Sequence, residues 1–353
     1  MKISNKETKD ILLIISSFLF GGLIMYILLN IYGVDKQIST TSLSKTVNKV
    51  YASTVTIESY SGGAIEATGS GFFYKKDNKN AYILTNEHIL TDDKIVITTT
   101  DNKNAEATIL GKDKYLDLAV LRVDKKYAKK IVNLKKKKKT QLGDSIFTIT
   151  SPLGIDYKGS VTRGIISGKD RIVQTTVEEK NTSNWLMRVI QIDAAINKGS
   201  SGGALFDEQG NVIGVVTLKL IDTDIEGMGF AIPIEYAINH FKELETGKKI
   251  AWPELGISMT NVTNSSTLLS NNIKIPTDLS QGVAILSVKK NSSADKAGLK
   301  KGDIITKIDD KNIDNISYLK YVLFQHKVGD KITIKYYRNG KKRQTSAILN
   351  SSE

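Results

Sequence analysis

Apolar residues follow three different patterns along this chain. From Ile11 to Tyr32 the run ILLIISSFLFGGLIMYILLNIY carries no charge, and a helix of that length spans a bilayer core of about 30 Å. From about Val47 to Gly247 the apolar positions fall into short β-branched runs separated by turn residues. These runs are Thr54 to Ile57, Gly71 to Tyr74, Ala81 to Thr85, Lys94 to Thr100, Leu118 to Val123, Ser145 to Thr150 and Val212 to Leu220. Such spacing predicts a β-barrel or sandwich. A helical pattern at Ile234 to Leu244 closes the region, and Gly247 and the Trp252-Pro253 pair mark a boundary. Beyond it lie further apolar runs, a predicted helix from about Ile316 to Gln325, and the hairpin signal Asn339-Gly340.

These patterns predict a mainly β chain laid out as a short tail (1–10), a membrane-spanning helix (11–32), a Ser/Thr-rich linker (33–46), a β domain (47–247) and a small α+β domain (248–353). A cleaved signal peptide is the alternative for the apolar run, but its apolar region would be shorter and end in small residues. Here Asn30, Tyr32 and Asp35 follow instead. Lys2, Lys6 and Lys9 ahead of the run favour a cytoplasmic N-terminus, with everything after Gly33 outside the cell membrane. Lys36 and Lys45 on the far side act against that orientation.

Length and composition agree with this layout. At roughly 150 residues per domain, 353 residues suggest two globular parts plus the anchor. With 40% hydrophobic and 25% charged residues, the chain has an ordinary globular composition. There is no cysteine, and the three histidines, His88, His240 and His326, stand far apart without metal-binding spacing. No metal and no cofactor is expected. The formal charge of +13 comes from lysines along the whole chain and a dense run at Lys135 to Lys139. That run reads as a hydrated loop, with an anionic membrane or wall polymer as the alternative partner. Nucleic acid is not expected, because no recognition motif accompanies the basic residues.

Three residues stand out for their order and surroundings. His88 lies in YILTNEHIL, at the end of an apolar strand. Asp117 lies in YLDLAVLRV, directly before a buried-looking run, where its carboxylate can bond an imidazole N–H, fix the tautomer and stabilise the imidazolium. Ser201 lies in NKGSSGGALF, where glycines permit a tight turn that projects a hydroxyl. A serine hydroxyl is a weak nucleophile near neutral pH and needs an adjacent base, itself oriented by an acid. The backbone N–H groups of Gly199 and Ser201 could then face a developing oxyanion. Ser200 is a rival hydroxyl, but the Gly202-Gly203 pair after Ser201 favours Ser201. Asp113 and Asp193 are the rival acids. Asp113 sits between Lys112 and Lys114 and reads as surface, while Asp193 reads as a support for the nucleophile loop.

The segments TNEHI, DLAVL, QIDAAINKGSSGGALF and GMGFAIP, in this order, resemble the trypsin-like serine proteases of the HtrA (Deg) family. The resemblance runs from about Val47 to the end. It implies a double β-barrel protease with one PDZ domain, acting without ATP on misfolded proteins outside the cytoplasm, usually as a homotrimer. It also implies the general base at His88, the orienting acid at Asp117, the nucleophile at Ser201 and an oxyanion donor at Gly199. The family commonly carries proline and asparagine where this chain has Lys198 and Ser200. A noncatalytic chaperone or PDZ adaptor that binds unfolded chains is the second reading, and it leaves the triad without a use.

The C-terminal segments ELGI, GVAILSV and ADKAGLKKGDIITKIDDKNI resemble a PDZ domain. That resemblance places a peptide-carboxylate loop at Leu255, Gly256 and Ile257, with an extended peptide adding a strand beside it. Tyr318, Val322 and Leu323 fall at helical spacing and read either as groove contacts or as core. In trypsin-like enzymes the residue six before the nucleophile lines the base of the specificity pocket. Here it is Ala195, with Ile196 adding apolar surface and no acid to pair a basic side chain. A peptide-library digest is therefore expected to show cleavage after small aliphatic residues, and dominant cuts after lysine or arginine would overturn that expectation.

Overall fold

A computed structural model describes residues 5–31, 43–91, 93–134, 140–177, 183–218, 227–277 and 279–351. Residues up to Thr46 and residues from Val47 onward form two separate compact units. The first contains helix α1 (Asn5–Ile31); helix α2 (Leu43–Val50) begins within it. The apolar side chains described along α1, from Leu12 to Ile27, are exposed. Among the described residues no helix is long and apolar enough to cross a membrane. The expected span, residues 11–32, runs past the described side chains at both ends. The Lys135 to Lys139 run and most of the linker lie outside the described residues.

The second unit opens with a closed barrel of strands β1 (Thr54–Ser61), β2 (Ala64–Lys76), β3 (Asn80–Thr85), β4 (Lys94–Thr99), β5 (Asn104–Asp113) and β6 (Leu118–Asp124), in the order β1-β2-β3-β6-β5-β4. Alternate side chains point inward, so Val55, Ile57, Phe73, Ile83, Ile97 and Leu121 meet in one core. Each such side chain stabilises the fold by about 1.5–3 kcal/mol through burial.

A second β layer follows, made of β7 (Asn133–Leu134), β8 (Ser145–Thr150), β9 (Ser160–Val177), β10 (Ser183–Ile192), β11 (Ala204–Asp207), β12 (Asn211–Thr217) and β13 (Gly229–Pro233). Its order is β11-β8-β9-β10-β13-β12-β7, and β11 also pairs with β12, so six strands run round a ring. Ile146, Ile166, Ile192, Leu205 and Val216 fill it. Of the seven sequence-predicted strands, those at β3, β4, β6 and β8 match to within a residue at either end; Thr54 to Ile57 and Gly71 to Tyr74 fall within the longer β1 and β2, and Val212 to Leu220 overruns β12, which ends at Thr217. The strands β5, β9 and β10 escaped prediction because their outward positions carry Glu106, Lys112, Arg163, Lys169, Arg171 and Arg188, which dilute the apolar alternation.

Helix α3 (Ile234–Thr246) then packs back on β5, β6 and β12 and stops at Gly247, which takes a left-handed conformation. The remaining residues form β14 (Pro253–Glu254), β15 (Ile257–Asn261), α4 (Ser265–Ser270), β16 (Val283–Val288), α5 (Ser293–Lys296), β17 (Ile304–Ile308), β18 (Lys311–Asn312), α6 (Ile316–Leu323), β19 (Lys331–Arg338), β20 (Lys341–Ile348) and β21 (Asn350–Ser351). Their main sheet runs β15-β16-β17-β19-β20, which leaves β15 at an edge. Leu319, Val322 and Leu323 of α6 are buried in this domain's core, so two of the three candidate groove residues are core; Tyr318 is half-buried and packs against it.

The two globular parts meet at an aromatic junction. Trp252 stacks on Phe324 with ring centroids 4.3 Å apart, and Tyr115 meets both rings edge-on. Beside it Arg188 donates to Asp170, Glu235 and Tyr236, while α6 packs against β10. His240 lies 5.5 Å from the Trp252 ring, and burial holds its imidazole below the ordinary histidine range, against the opposing pull of Glu243 and Asp113. A histidine harder to protonate when folded than when unfolded makes stability rise with pH through that interval, because the unfolded chain binds the proton first. Melting temperature is thus expected to fall as pH drops below the ordinary histidine range. Replacing His240→Gln should flatten part of that slope, and an unaltered slope would contradict this account of the junction.

Candidate active site

The end of β3 and the turn after it carry Asn86 and His88, and the turn between β5 and β6 carries Asp117. The two candidate groups meet at close range. The His88 Nδ1 atom lies 2.8 and 2.9 Å from the two Asp117 carboxylate oxygens, and the His88 backbone N–H donates to Oδ1 at 3.1 Å. Asp117 is 1% exposed. Its backbone is left-handed at φ 54°, a conformation that L residues adopt only under constraint. The constraints are visible: Asn86 Nδ2 donates to its carbonyl at 2.8 Å, and Thr217 Oγ1 donates to Oδ2 at 3.0 Å. Nδ1 held against a carboxylate is the protonated nitrogen, which leaves Nε2 to accept.

Ser201 lies in a turn between the two β rings and is 3% exposed. The Leu218 N–H donates to its Oγ at 3.1 Å. Thr217 and Leu218, consecutive residues at the end of β12, thus hold the acid and the candidate nucleophile. Among the described residues no hydrogen bond joins Ser201 Oγ to His88, so the structure brings acid and base into contact and sets the hydroxyl beside them without closing that link. Catalytic hydrogen bonds are commonly looser before substrate binds.

Ser200 is set apart from Ser201 by its own contacts. Its buried Oγ accepts from Asn197 N at 3.3 Å and lies 3.2 Å from Thr150 Oγ1, so it braces the turn from inside. Asp193 is exposed, and its Oδ1 accepts from Ile165 N at 2.6 Å, supporting the neighbouring β strand. Asp113 was expected on the surface; it is instead half-buried, accepting from the Trp252 indole at 3.0 Å and from two turn amides, because the junction covers it.

The turn also sets the two candidate oxyanion donors. A planar trans peptide points its C=O and N–H in opposite directions, so fixing one fixes the other. The Lys198 carbonyl accepts from Leu153 N and the Ser200 carbonyl from Gly203 N, which directs the Gly199 and Ser201 N–H groups the other way. Among the described residues neither N–H has a hydrogen-bond partner. Gly199 has φ 92°, and a Cβ there would lie 2.3 Å from the Ser151 carbonyl oxygen. Lys198 is exposed and leaves this geometry intact.

Sequence reasoning missed Ser70, the residue that ties the turn to the first barrel. Its N–H donates to the Ser201 carbonyl at 2.8 Å and its Oγ to the Gly199 carbonyl at 2.7 Å. The same Oγ accepts from Ser151 N at 2.9 Å, and its carbonyl accepts from Thr85 Oγ1 at 2.8 Å. The flanking glycines in TGSGF were the available signal, since they mark close backbone approach. Thr217 and Leu218 gave no comparable signal.

Of the candidate pocket residues, Ala195 is exposed and Ile196 is half-buried against the second core. Residues 219–226, which follow Leu218, lie outside the described residues. In the C-terminal part, Leu255 is buried, and Ala294 N and Lys289 N fix the Leu255 and Gly256 carbonyls at 2.9 Å each. Gly256 has φ 70°, and a Cβ there would lie 2.4 Å from that of Ser292. Leu255, Gly256 and Ile257 therefore form a braced loop leading into the edge strand β15.

Comparison with known proteins agrees with this geometry. Residues 69–215 match the model of the trypsin-like peptidase domain, and residues 253–349 match that of the PDZ domain. A serine protease HtrA-like protein of Staphylococcus aureus (strain COL) is 36% identical over 327 residues, covering 89% of this chain. The chain spans 42% of that relative's length. The crystal structure of a serine endoprotease from Yersinia pestis superposes with a TM-score of 0.64 at 26% identity, covering 88% of this chain and 98% of the other. An HtrA-type protease solved with a tripeptide gives 0.63 at 27% identity, with the same coverage.

Replacing Ser70→Ala would leave the Gly199 carbonyl and the Ser151 N–H without their partner, at about 1–3 kcal/mol for each buried group. Calorimetry should show a loss of that order. A Ser70→Ala chain as stable as the parent would contradict the clamp.

Proposed function

Since the chain belongs to the HtrA family of trypsin-like proteases with one PDZ domain, we propose that it is an ATP-independent serine endopeptidase acting on misfolded or damaged proteins outside the cytoplasm. The observation that carries the reading is the two-oxygen contact of Asp117 with His88 Nδ1, beside a serine turn that offers two unused N–H groups.

In this reading His88 Nε2 takes the proton from Ser201 Oγ as that oxygen bonds to the scissile carbonyl carbon. Negative charge moves to the carbonyl oxygen, facing the Gly199 and Ser201 N–H groups. Asp117 stabilises the imidazolium without taking its proton. His88 then passes the proton to the amide nitrogen, the C–N bond breaks and an acyl ester remains on Ser201. Water attacks that ester, gives its proton to His88, and the Ser201 C–O bond breaks with return of the proton to Oγ. The Ser201 Oγ accepts from Leu218 N–H, which leaves its own hydrogen available for transfer.

The PDZ part would capture peptide C-termini at Leu255, Gly256 and Ile257, with the peptide adding to the open edge of β15. A membrane anchor at residues 11–32 is supported by the uncharged run in the sequence and by the exposed apolar side chains of α1, and would place both globular parts on the outer side. A homotrimer and an apolar specificity site at Ala195 and Ile196 complete the proposal. A chaperone or adaptor that only binds chains is the second reading, and the contact of His88 with the buried Asp117 carboxylate disfavours it.

Hydrolysis of casein by the purified chain tests the choice. The Asp117→Asn variant should retain its fold and lose kcat by about 10⁴-fold, because the wrong histidine tautomer is then favoured. Casein binding without hydrolysis by the parent chain would support the chaperone reading instead.

A further inference from the structure

Asp117 occupies a left-handed backbone conformation at φ 54°, so the chain entering it has to be held firmly. The entry is the turn Asp113 to Asp117. Asp113 Oδ1 accepts from Tyr115 N and from Leu116 N, both at 2.9 Å, so one oxygen fixes the amides of the two residues before Asp117. Its second oxygen, Oδ2, accepts from the Trp252 indole N–H at 3.0 Å. Trp252 is 8% exposed, stacked on Phe324 at the end of α6 with 9° between the ring planes. A carboxylate with both oxygens engaged in different directions has one rotamer that satisfies all its donors.

We propose that Asp113 is a positioning residue for the catalytic acid, and that Trp252 locks it in the rotamer that shapes the Asp113–Asp117 turn. The inference rests on the reading of Asp117 as the acid that orients His88. A chain of fixed contacts then runs from Phe324 through Trp252 and Asp113 to Asp117 and His88. Tyr115, which supplies one of the two amides, also packs edge-on against Trp252 and Phe324, so its ring meets the same indole that bonds Asp113. The catalytic acid is thereby referenced to the segment that leads into the PDZ part.

The test uses the full chain and two variants that separate turn from lock. Asp113→Asn keeps an oxygen for the two amides but turns an N–H₂ toward the indole. Trp252→Phe keeps an aromatic ring on Phe324 and removes the donor. Each should lower kcat on a peptide substrate by roughly tenfold with KM unchanged within about twofold, since displacement of a catalytic group slows chemistry without weakening binding. The double variant should be no slower than Asp113→Asn, because both changes break one link. Asp117→Asn is measured alongside. If Asp117→Asn is slow while both single variants keep the parent kcat, or if their losses multiply in the double variant, this inference is overturned alone. Full activity of Asp117→Asn overturns both it and the assignment of the acid.

Discussion

Ser70 is the contact on which the rest of the site depends. It stands on β2 of the first barrel, yet three of its hydrogen bonds reach backbone groups of the second β layer and one reaches Thr85. The Gly199 and Ser201 carbonyls are both tied to it, so the nucleophile turn is held by the barrel that bears the histidine. Without that clamp the two halves of the site would sit on separate rings joined by softer contacts. Proton transfer between side chains requires placement to fractions of an ångström, and a buried hydroxyl that both donates and accepts supplies it more rigidly than apolar packing alone.

Thr217 works in the opposite direction, from the second layer to the first, while Leu218 braces the Ser201 turn within the second layer. One holds Asp117, which enters from the β5–β6 turn, and the other holds Ser201. Asp117 and Ser201 are therefore spaced by a single residue step at the end of β12. With Ser70 on one side and the end of β12 on the other, Asp117 and the Ser201 turn are fixed by backbone and hydroxyl groups outside the candidate triad. The strained conformation of Asp117 persists because Asn86, His88, Thr217 and the Asp113 turn all oppose its relaxation.

Much of this was legible in the sequence, but unevenly. His88, Asp117 and Ser201 were readable because each sits in a short motif whose neighbours dictate local conformation: an apolar strand end, a polar residue before a buried strand, and a glycine turn. The strands of the first barrel were readable from β-branched alternation. The long hairpin β9–β10 was not, since its outward charged residues mask the period. Asp113 was misread because its neighbours are lysines, and only the fold shows that Trp252, far along the chain, covers it. Ser70, Thr217 and Leu218 act through backbone atoms or a lone hydroxyl, so their importance is a property of what the fold brings near them. Tyr318, Val322 and Leu323 show the converse: helical spacing told that they face inward but not what they face.

The contacts of the turn single out Ser201, and not Ser200, as the hydroxyl proposed to be activated by His88. The most direct measurement is labelling of the full chain with a fluorophosphonate, followed by mass mapping of the tryptic peptide spanning residues 199–219. One adduct is expected, on Ser201, and it should disappear in His88→Ala. An adduct on Ser200, or equal labelling with and without His88, would contradict it.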